Sequence, residues 1–222
     1  MSDKRYYIIG DIHGHISKLR NLINMLPESL AEDRIIFLGD YIDRGPASFE
    51  VIEYLIAFSK MYDTVFLMGN HEEMFMRYLT VGDNEINYFR NGGNYTVSNY
   101  MKNKGSLSLP ESHMDFFNSL KPYYETDYFI AVHAGLNPQK EWPGGQDIDD
   151  LIWIREDFYL ADKKWPKTVI FGHTPTPYIH RSESVYIDRE RNIIGIDTCA
   201  MLEEYPLSCI RMPDGKIFQA YS

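Results

Sequence analysis

Short apolar runs, four or five residues long, return along this chain at intervals set by stretches of helical periodicity. Tyr6-Tyr7-Ile8-Ile9, Arg34-Ile35-Ile36-Phe37-Leu38 and Thr64-Val65-Phe66-Leu67-Met68 lack polar alternation, which predicts strands buried on both faces. Between them, Ile16, Leu19, Leu22, Ile23 and Leu26 mark one helical face, ended by Pro27. Val51, Ile52, Leu55, Ile56 and Phe58 mark a second, with Pro46 expected in its first turn, and a third helix is expected from Glu72 to Leu79. A β-α-β-α-β order calls for right-handed crossovers and parallel strands. Sheets of that kind gather ligands at the carboxyl ends of their strands.

Residues 80–122 are richer in Asn, Gly and Ser and read as short helices joined by loops. From Tyr128-Phe129-Ile130-Ala131-Val132 onward the chain becomes strand-rich: Thr168–Phe171, Ser184–Ile187, Asn192–Ile196, Ser208–Met212 and Lys216–Gln219 are short and separated by turn signals. The expectation is a second mixed or antiparallel sheet packed on the first, within one α/β domain over residues 1–222.

Composition narrows the function classes. A 44% hydrophobic content supplies a substantial core, and no run approaches the roughly 20 apolar residues of a membrane helix. Met1-Ser2-Asp3-Lys4-Arg5-Tyr6 offers no apolar segment for a signal peptide, so a soluble cytoplasmic protein without a membrane partner is expected, as a monomer. A net charge of −10 without a basic stripe argues against a nucleic-acid partner. Cys199 and Cys209, on what read as neighbouring strand segments, are expected as buried free thiols.

The chemistry lies where the apolar runs stop. Gly10-Asp11-Ile12-His13-Gly14, Gly39-Asp40-Tyr41-Ile42-Asp43-Arg44-Gly45, Gly69-Asn70-His71-Glu72, Val132-His133-Ala134-Gly135 and Phe171-Gly172-His173-Thr174 each put hard oxygen donors or imidazoles in a turn leaving a strand. That donor mixture suits a two-metal site acting on phosphate. Asp40 can serve two cations with its two oxygens, and the Arg44 guanidinium suits a pair of phosphate oxygens.

In this order the five stretches resemble the calcineurin-like metallophosphoesterases, and more narrowly the phosphoprotein phosphatases of short bacterial and bacteriophage type, a group that includes symmetrical dinucleoside tetraphosphatases. The resemblance implies a four-layer α/β/β/α fold, with two packed mixed sheets flanked by helices. It implies that Asp11, His13 and Asp40 hold one divalent ion and Asp40, Asn70, His133 and His173 a second, most suitably Mn2+, with Fe or Zn open. A hydroxide bridging the ions would attack phosphorus, His71 would protonate the leaving oxygen, and Asp43 would orient His71. Arg44 would bind phosphate oxygens with Asn70 and His71 beside it, and Arg155, after Leu151-Ile152-Trp153-Ile154, would stabilise charge developing on them. The implied activity is hydrolysis of phosphoserine and phosphothreonine in proteins, with phosphotyrosine as an extension. The alternative is a dinucleoside polyphosphate such as Ap4A.

One segment departs from the pattern. The bacterial group often reads Ile-Asp-Thr-Gly before a Gly-Gly hairpin, where this chain has Ile196-Asp197-Thr198-Cys199-Ala200-Met201-Leu202-Glu203-Glu204-Tyr205. The departure spares the ligand positions but touches a loop expected beside the rim. His15, His113 and His180 match no ligand position. A degenerate ligand, acid or arginine would signal a non-catalytic scaffold, and none is degenerate.

Overall fold

The computed structural model describes residues 4–27, 32–82, 85–142 and 144–222, so Met1, Ser2 and Asp3 of the expected N-terminus lie outside it. Two five-stranded sheets form the centre. In the first, β1 (Tyr6–Ile9), β2 (Arg34–Phe37) and β3 (Asp63–Phe66) run parallel, connected through α1 (Ile16–Asn24) and α2 (Ser48–Ser59). In the second, β5 (Phe129–Val132), β6 (Thr168–Phe171) and β8 (Ile193–Gly195) run parallel, flanked by antiparallel β4 (Tyr123–Glu125) and β7 (Tyr186–Asp188).

The period of two along each strand explains the layering. Tyr7, Ile9, Ile35 and Phe37 face outward to Leu19 and Leu22 of α1 and to Val51, Ile52 and Leu55 of α2. Their neighbours Ile8, Ile36 and Leu38 face inward and meet Phe129, Ala131 and Ile170 of the second sheet. On its far side, Ile130, Val132, Val169 and Phe171 pack beneath Leu151, Ile152 and Phe158. Strands covered on both faces need apolar side chains at every position, which is why the sequence shows unbroken runs.

Four expectations change. The last two strands, β9 (Leu207–Met212) and β10 (Lys216–Ala220), were expected in the second sheet but extend the first, β9 pairing antiparallel with β1. Pro46 precedes the helix, which starts at Ser48, and α3 (Asn70–Thr80) starts two residues before Glu72, so Asn70 and His71 ride its first turn. Cys199 sits in a turn at φ 68° and not on a strand, although both cysteines are free and buried as expected. Among the described residues no helix is long and apolar enough to cross a membrane. Residues 80–122 form α4 (Glu85–Arg90), α5 (Gly93–Lys104) and α6 (Glu111–Asn118), which cover the first sheet's outer face near its rim.

Candidate active site

Six strand ends meet along the seam between the sheets. Asp11, Asp40 and Asn70 follow β1, β2 and β3, and His133 and His173 follow β5 and β6. The sixth residue, Asp197, follows β8. All six are buried, as are His13, Asp43 and His71. Close approach is built in: a Cβ at Gly172 would stand 2.1 Å from Asp11 Oδ1, and one at Gly69 2.2 Å from Asp40 Oδ1. The backbone is also strained here, with φ of 46° at His13, 52° at Asp40, 68° at Asp43, 66° at Arg44 and 60° at His173. Each left-handed non-glycine residue costs on the order of 1 kcal/mol, which the surrounding hydrogen bonds must offset.

The imidazoles are oriented by what one ring nitrogen does. His13 Nδ1 lies 2.9 Å from Ile42 O and His133 Nδ1 2.9 Å from Leu38 O. A carbonyl only accepts, so each Nδ1 carries the proton and each Nε2 is a bare acceptor. His173 reverses the arrangement, giving Nε2–H to Trp153 O at 3.3 Å. His71 gives Nδ1–H to Asp43 Oδ2 at 2.7 Å, and its Nε2 is buried without any hydrogen-bond partner. Burial, seconded by Arg44 at His13 and by His133 at His173, holds those two imidazoles well below their ordinary range, and burial lowers His133 too. The rings are therefore neutral ligands in form.

Acceptors then face acceptors. His133 Nε2 stands 3.0 Å from Asn70 Oδ1 and 3.4 Å from Asp40 Oδ1, with no proton between them. Asp40 Oδ2 lies 3.6 Å from His13 Nε2 and 3.8 Å from His71 Nε2. Ligand atoms of Asp40, His133 and His173 all fall within 4.8 Å of one another, as do those of Asp40, His13 and His71. Asp40 is common to both sets. Lone pairs converging in a desolvated site are stable when a cation sits among them, so the donor set fits two metal ions. Asp11 stands at the edge of this cluster, both its oxygens accepting the His173 N–H at 3.0 and 3.2 Å. Burial, with Asp197 and Asp40 adding repulsion, lifts its carboxyl well above the usual range.

Two arginines border the cluster. Arg44 Nη1 donates to His13 Nε2 at 3.0 Å, and Arg155 Nη1 donates to His173 O at 2.9 Å and to Thr174 Oγ1 at 3.2 Å. Asp43 is gripped by Thr96 Oγ1 at 2.5 Å and Tyr88 OH at 3.0 Å, so the carboxylate that receives His71 has little freedom. His15 and His180 spend Nε2 on backbone carbonyls, and His113 pairs with Glu53 and Tyr100.

Sequence reasoning overlooked two carboxylates. Glu72 accepts N–H groups from Asp40 at 2.9 Å, Tyr41 at 2.8 Å and Gly69 at 3.1 Å, so it ties the second turn to the third. Its place three residues after Gly69 is a capping-box position, which was the available signal. Asp197 follows Ile193-Ile194-Gly195-Ile196, the same apolar-run-then-carboxylate order as Asp11 and Asp40. Burial raises it to about 6.

Glu72 gives the metal-stripped protein a pH signature. Burial, then repulsion from Asp40, raises its carboxyl to about 8 from the 4.5 of an unfolded chain. Folding therefore takes up a proton in that interval, and stability falls as pH rises. Near 6.5 the unfolded His13, His133 and His173 imidazoles still bind protons that the fold excludes, and this opposes the trend until they are neutral in both states, above about 7.5. After chelation, the melting temperature is expected to fall between about pH 7.5 and 8.5, as Glu72 passes through its raised value of about 8, while the stabilisation from added Mn2+ grows over the same range. Calorimetric scans test this; a melting temperature that rises would mean Glu72 is charged in the fold.

A family profile described as calcineurin-like phosphoesterase matches residues 4–205. The chain is 34% identical over 152 residues to the serine/threonine-protein phosphatase 2B catalytic subunit A2 of Saccharomyces cerevisiae, covering 67% of this chain and 22% of the yeast protein. It is 29% identical over 177 residues to a symmetrical bis(5'-nucleosyl)-tetraphosphatase of Coxiella burnetii, covering 78% of this chain and 55% of that one. The chain thus spans about half or less of the length of these relatives. Among solved structures, a provisionally assigned diadenosine tetraphosphatase shares the fold with a TM-score of 0.69 at 20% identity, covering 99% of this chain and 94% of the other. A cold-active protein tyrosine phosphatase does so at 0.67 and 15% identity, covering 97% and 78%.

Proposed function

Because this chain belongs to the calcineurin-like phosphoesterases, we propose that it hydrolyses phosphate monoesters of serine and threonine in proteins, with its own side chains supplying proton transfer and phosphate binding. The observation that carries the reading is the His71–Asp43 pair: a buried imidazole anchored at Nδ1, with a partnerless Nε2 beside Asp40. A ring held in one tautomer by a rigid carboxylate is arranged to deliver a proton to a leaving oxygen.

Asp11, His13 and Asp40 would hold one divalent ion, and Asp40, Asn70, His133 and His173 the other, Mn2+ suiting the mixed oxygen and nitrogen set. When bound, such a pair supplies Lewis acidity, offsetting phosphoryl charge and making water easier to deprotonate. Arg44, beside His13, and Arg155, beside His173, would bind the non-bridging oxygens and fix the phosphorus between them. Asn70 and His71, on the first turn of α3, add a helix N-terminus, where anions are favoured.

A second reading has its own support. The Coxiella burnetii tetraphosphatase aligns over a larger share of this chain than the yeast phosphatase does, 78% against 67%. The same groups would then act on the anhydride of a dinucleoside polyphosphate. Turnover of phosphoserine and phosphothreonine peptides and of Ap4A, at matched concentrations in Mn2+ buffer, separates the two. Phosphopeptides are expected to show the higher kcat/KM. Faster turnover of Ap4A than of any peptide transfers the proposal to the nucleotide class, and no turnover of any of them rejects hydrolysis.

A further inference from the structure

The departing segment from Cys199 to Tyr205 is held from beneath by a lysine that the hydrolytic chemistry does not use. Lys18, on α1, is 0% exposed. Its ammonium donates to three backbone carbonyls of that segment: Ala200 at 3.0 Å, Leu202 at 2.6 Å and Tyr205 at 2.8 Å. Three donors meet three acceptors, so the buried charge is fully hydrogen-bonded. His15, at the start of the same helix, adds a bond from Nε2 to Met201 O at 3.0 Å. Four carbonyls of one short loop therefore turn toward α1.

The Met201 side chain of the same loop meets Arg44. Its sulfur lies 3.0 Å from Arg44 Nη1, the same nitrogen that donates to His13. Gly92 O meanwhile receives Arg44 N at 3.3 Å, so backbone and guanidinium are held from separate sides. A lysine buried only to fill space could be replaced by methionine or leucine without desolvating a charge. What an ammonium supplies here, and an apolar side chain cannot, is the convergence of the carbonyls.

We propose that Lys18 is a positioning residue for the phosphate-binding arginine: it shapes the 199–205 loop so that Met201 backs the Arg44 guanidinium and keeps it over the rim. The proposal rests on the reading of Arg44 as a phosphate ligand. An arginine already held in place has less side-chain freedom to lose when phosphate binds, and the effect belongs to affinity more than to turnover.

A double-mutant cycle tests it, using Lys18→Met, Arg44→Ala and the pair, with kcat, KM and inhibition by inorganic phosphate read at saturating Mn2+. Lys18→Met is expected to raise KM and the phosphate inhibition constant by about five- to tenfold, with kcat changed by less than about twofold. In the Arg44→Ala background it is expected to change nothing further. Met201→Ala, which leaves the buried ammonium untouched, is expected to weaken phosphate inhibition in the same way, and it decides the matter if Lys18→Met does not fold. Equal losses with and without Arg44, or unchanged inhibition in Met201→Ala, overturn the positioning role alone. Unchanged phosphate inhibition in Arg44→Ala removes the premise, and the proposal falls with it.

Discussion

Replacing Asp40 by asparagine is expected to abolish hydrolysis and to weaken binding of both metal ions. The carboxylate lies between the two ligand sets, with Oδ1 3.4 Å from His133 Nε2 and Oδ2 3.6 Å from His13 Nε2. Asparagine keeps the shape and one oxygen, which can still accept the His71 N–H that Asp40 Oδ1 receives at 3.2 Å. It replaces the other oxygen with an NH2 that points hydrogens at a lone pair, and it removes the negative charge both cations would share. Losing an outer partner of a metal site costs about 10–100-fold, so loss of a shared ligand should exceed roughly 10³-fold in kcat/KM. Titration calorimetry with Mn2+, run beside steady-state kinetics, measures both effects. Near-normal turnover in Mn2+-replete buffer would refute the shared role.

His71→Asn should behave differently. Metal content is expected to stay intact, while alkyl phosphates slow by about 10²–10⁴-fold, the usual worth of a positioned general acid. Aryl phosphates, whose leaving groups need little protonation, should slow far less. The leaving-group dependence is the decisive readout, because simple misplacement of substrate slows both classes alike. Equal losses would show that His71 is not the acid. Since ligand atoms of His71, His13 and Asp40 lie within 4.8 Å of one another, Mn2+ content must be measured with the rates.

The chain announced its site more clearly than its sheets. Apolar runs buried on both faces are legible because nothing polar interrupts them, and a turn at the end of a parallel strand is a local event. Asp11, Asp40 and Asn70 could therefore be placed on one rim from sequence, whereas His133 and His173, at later strand ends, joined them through the family resemblance. Pairing of strands distant in sequence leaves no such local mark. Ser208-Cys209-Ile210-Arg211-Met212 reads equally well as an edge of either sheet, and only the match of Ile210 to the inner cluster and of Cys209 to the outer one settles it on β1. Asp197 was hidden for a different reason: it opens the segment that departs from the family pattern, although its own position repeats the strand-end rule. Glu72, Tyr88 and Thr96 were hidden because their work is done on backbone amides and on Asp43, contacts that exist only after folding.

The proposed metal ligands are divided between the two sheets. Asp11, Asp40 and Asn70 come from one half of the chain and His133 and His173 from the other, joined by bonds such as His173 N to Asp11 and His133 Nδ1 to Leu38 O. The first half carries the set proposed for one ion, Asp11, His13 and Asp40, but neither half carries the whole set proposed for the second. Occupancy by a pair of ions would thus report that both halves have folded. A chain with only one sheet formed would present at most one ion's ligands, and the second ion's set would be completed only when the two halves dock.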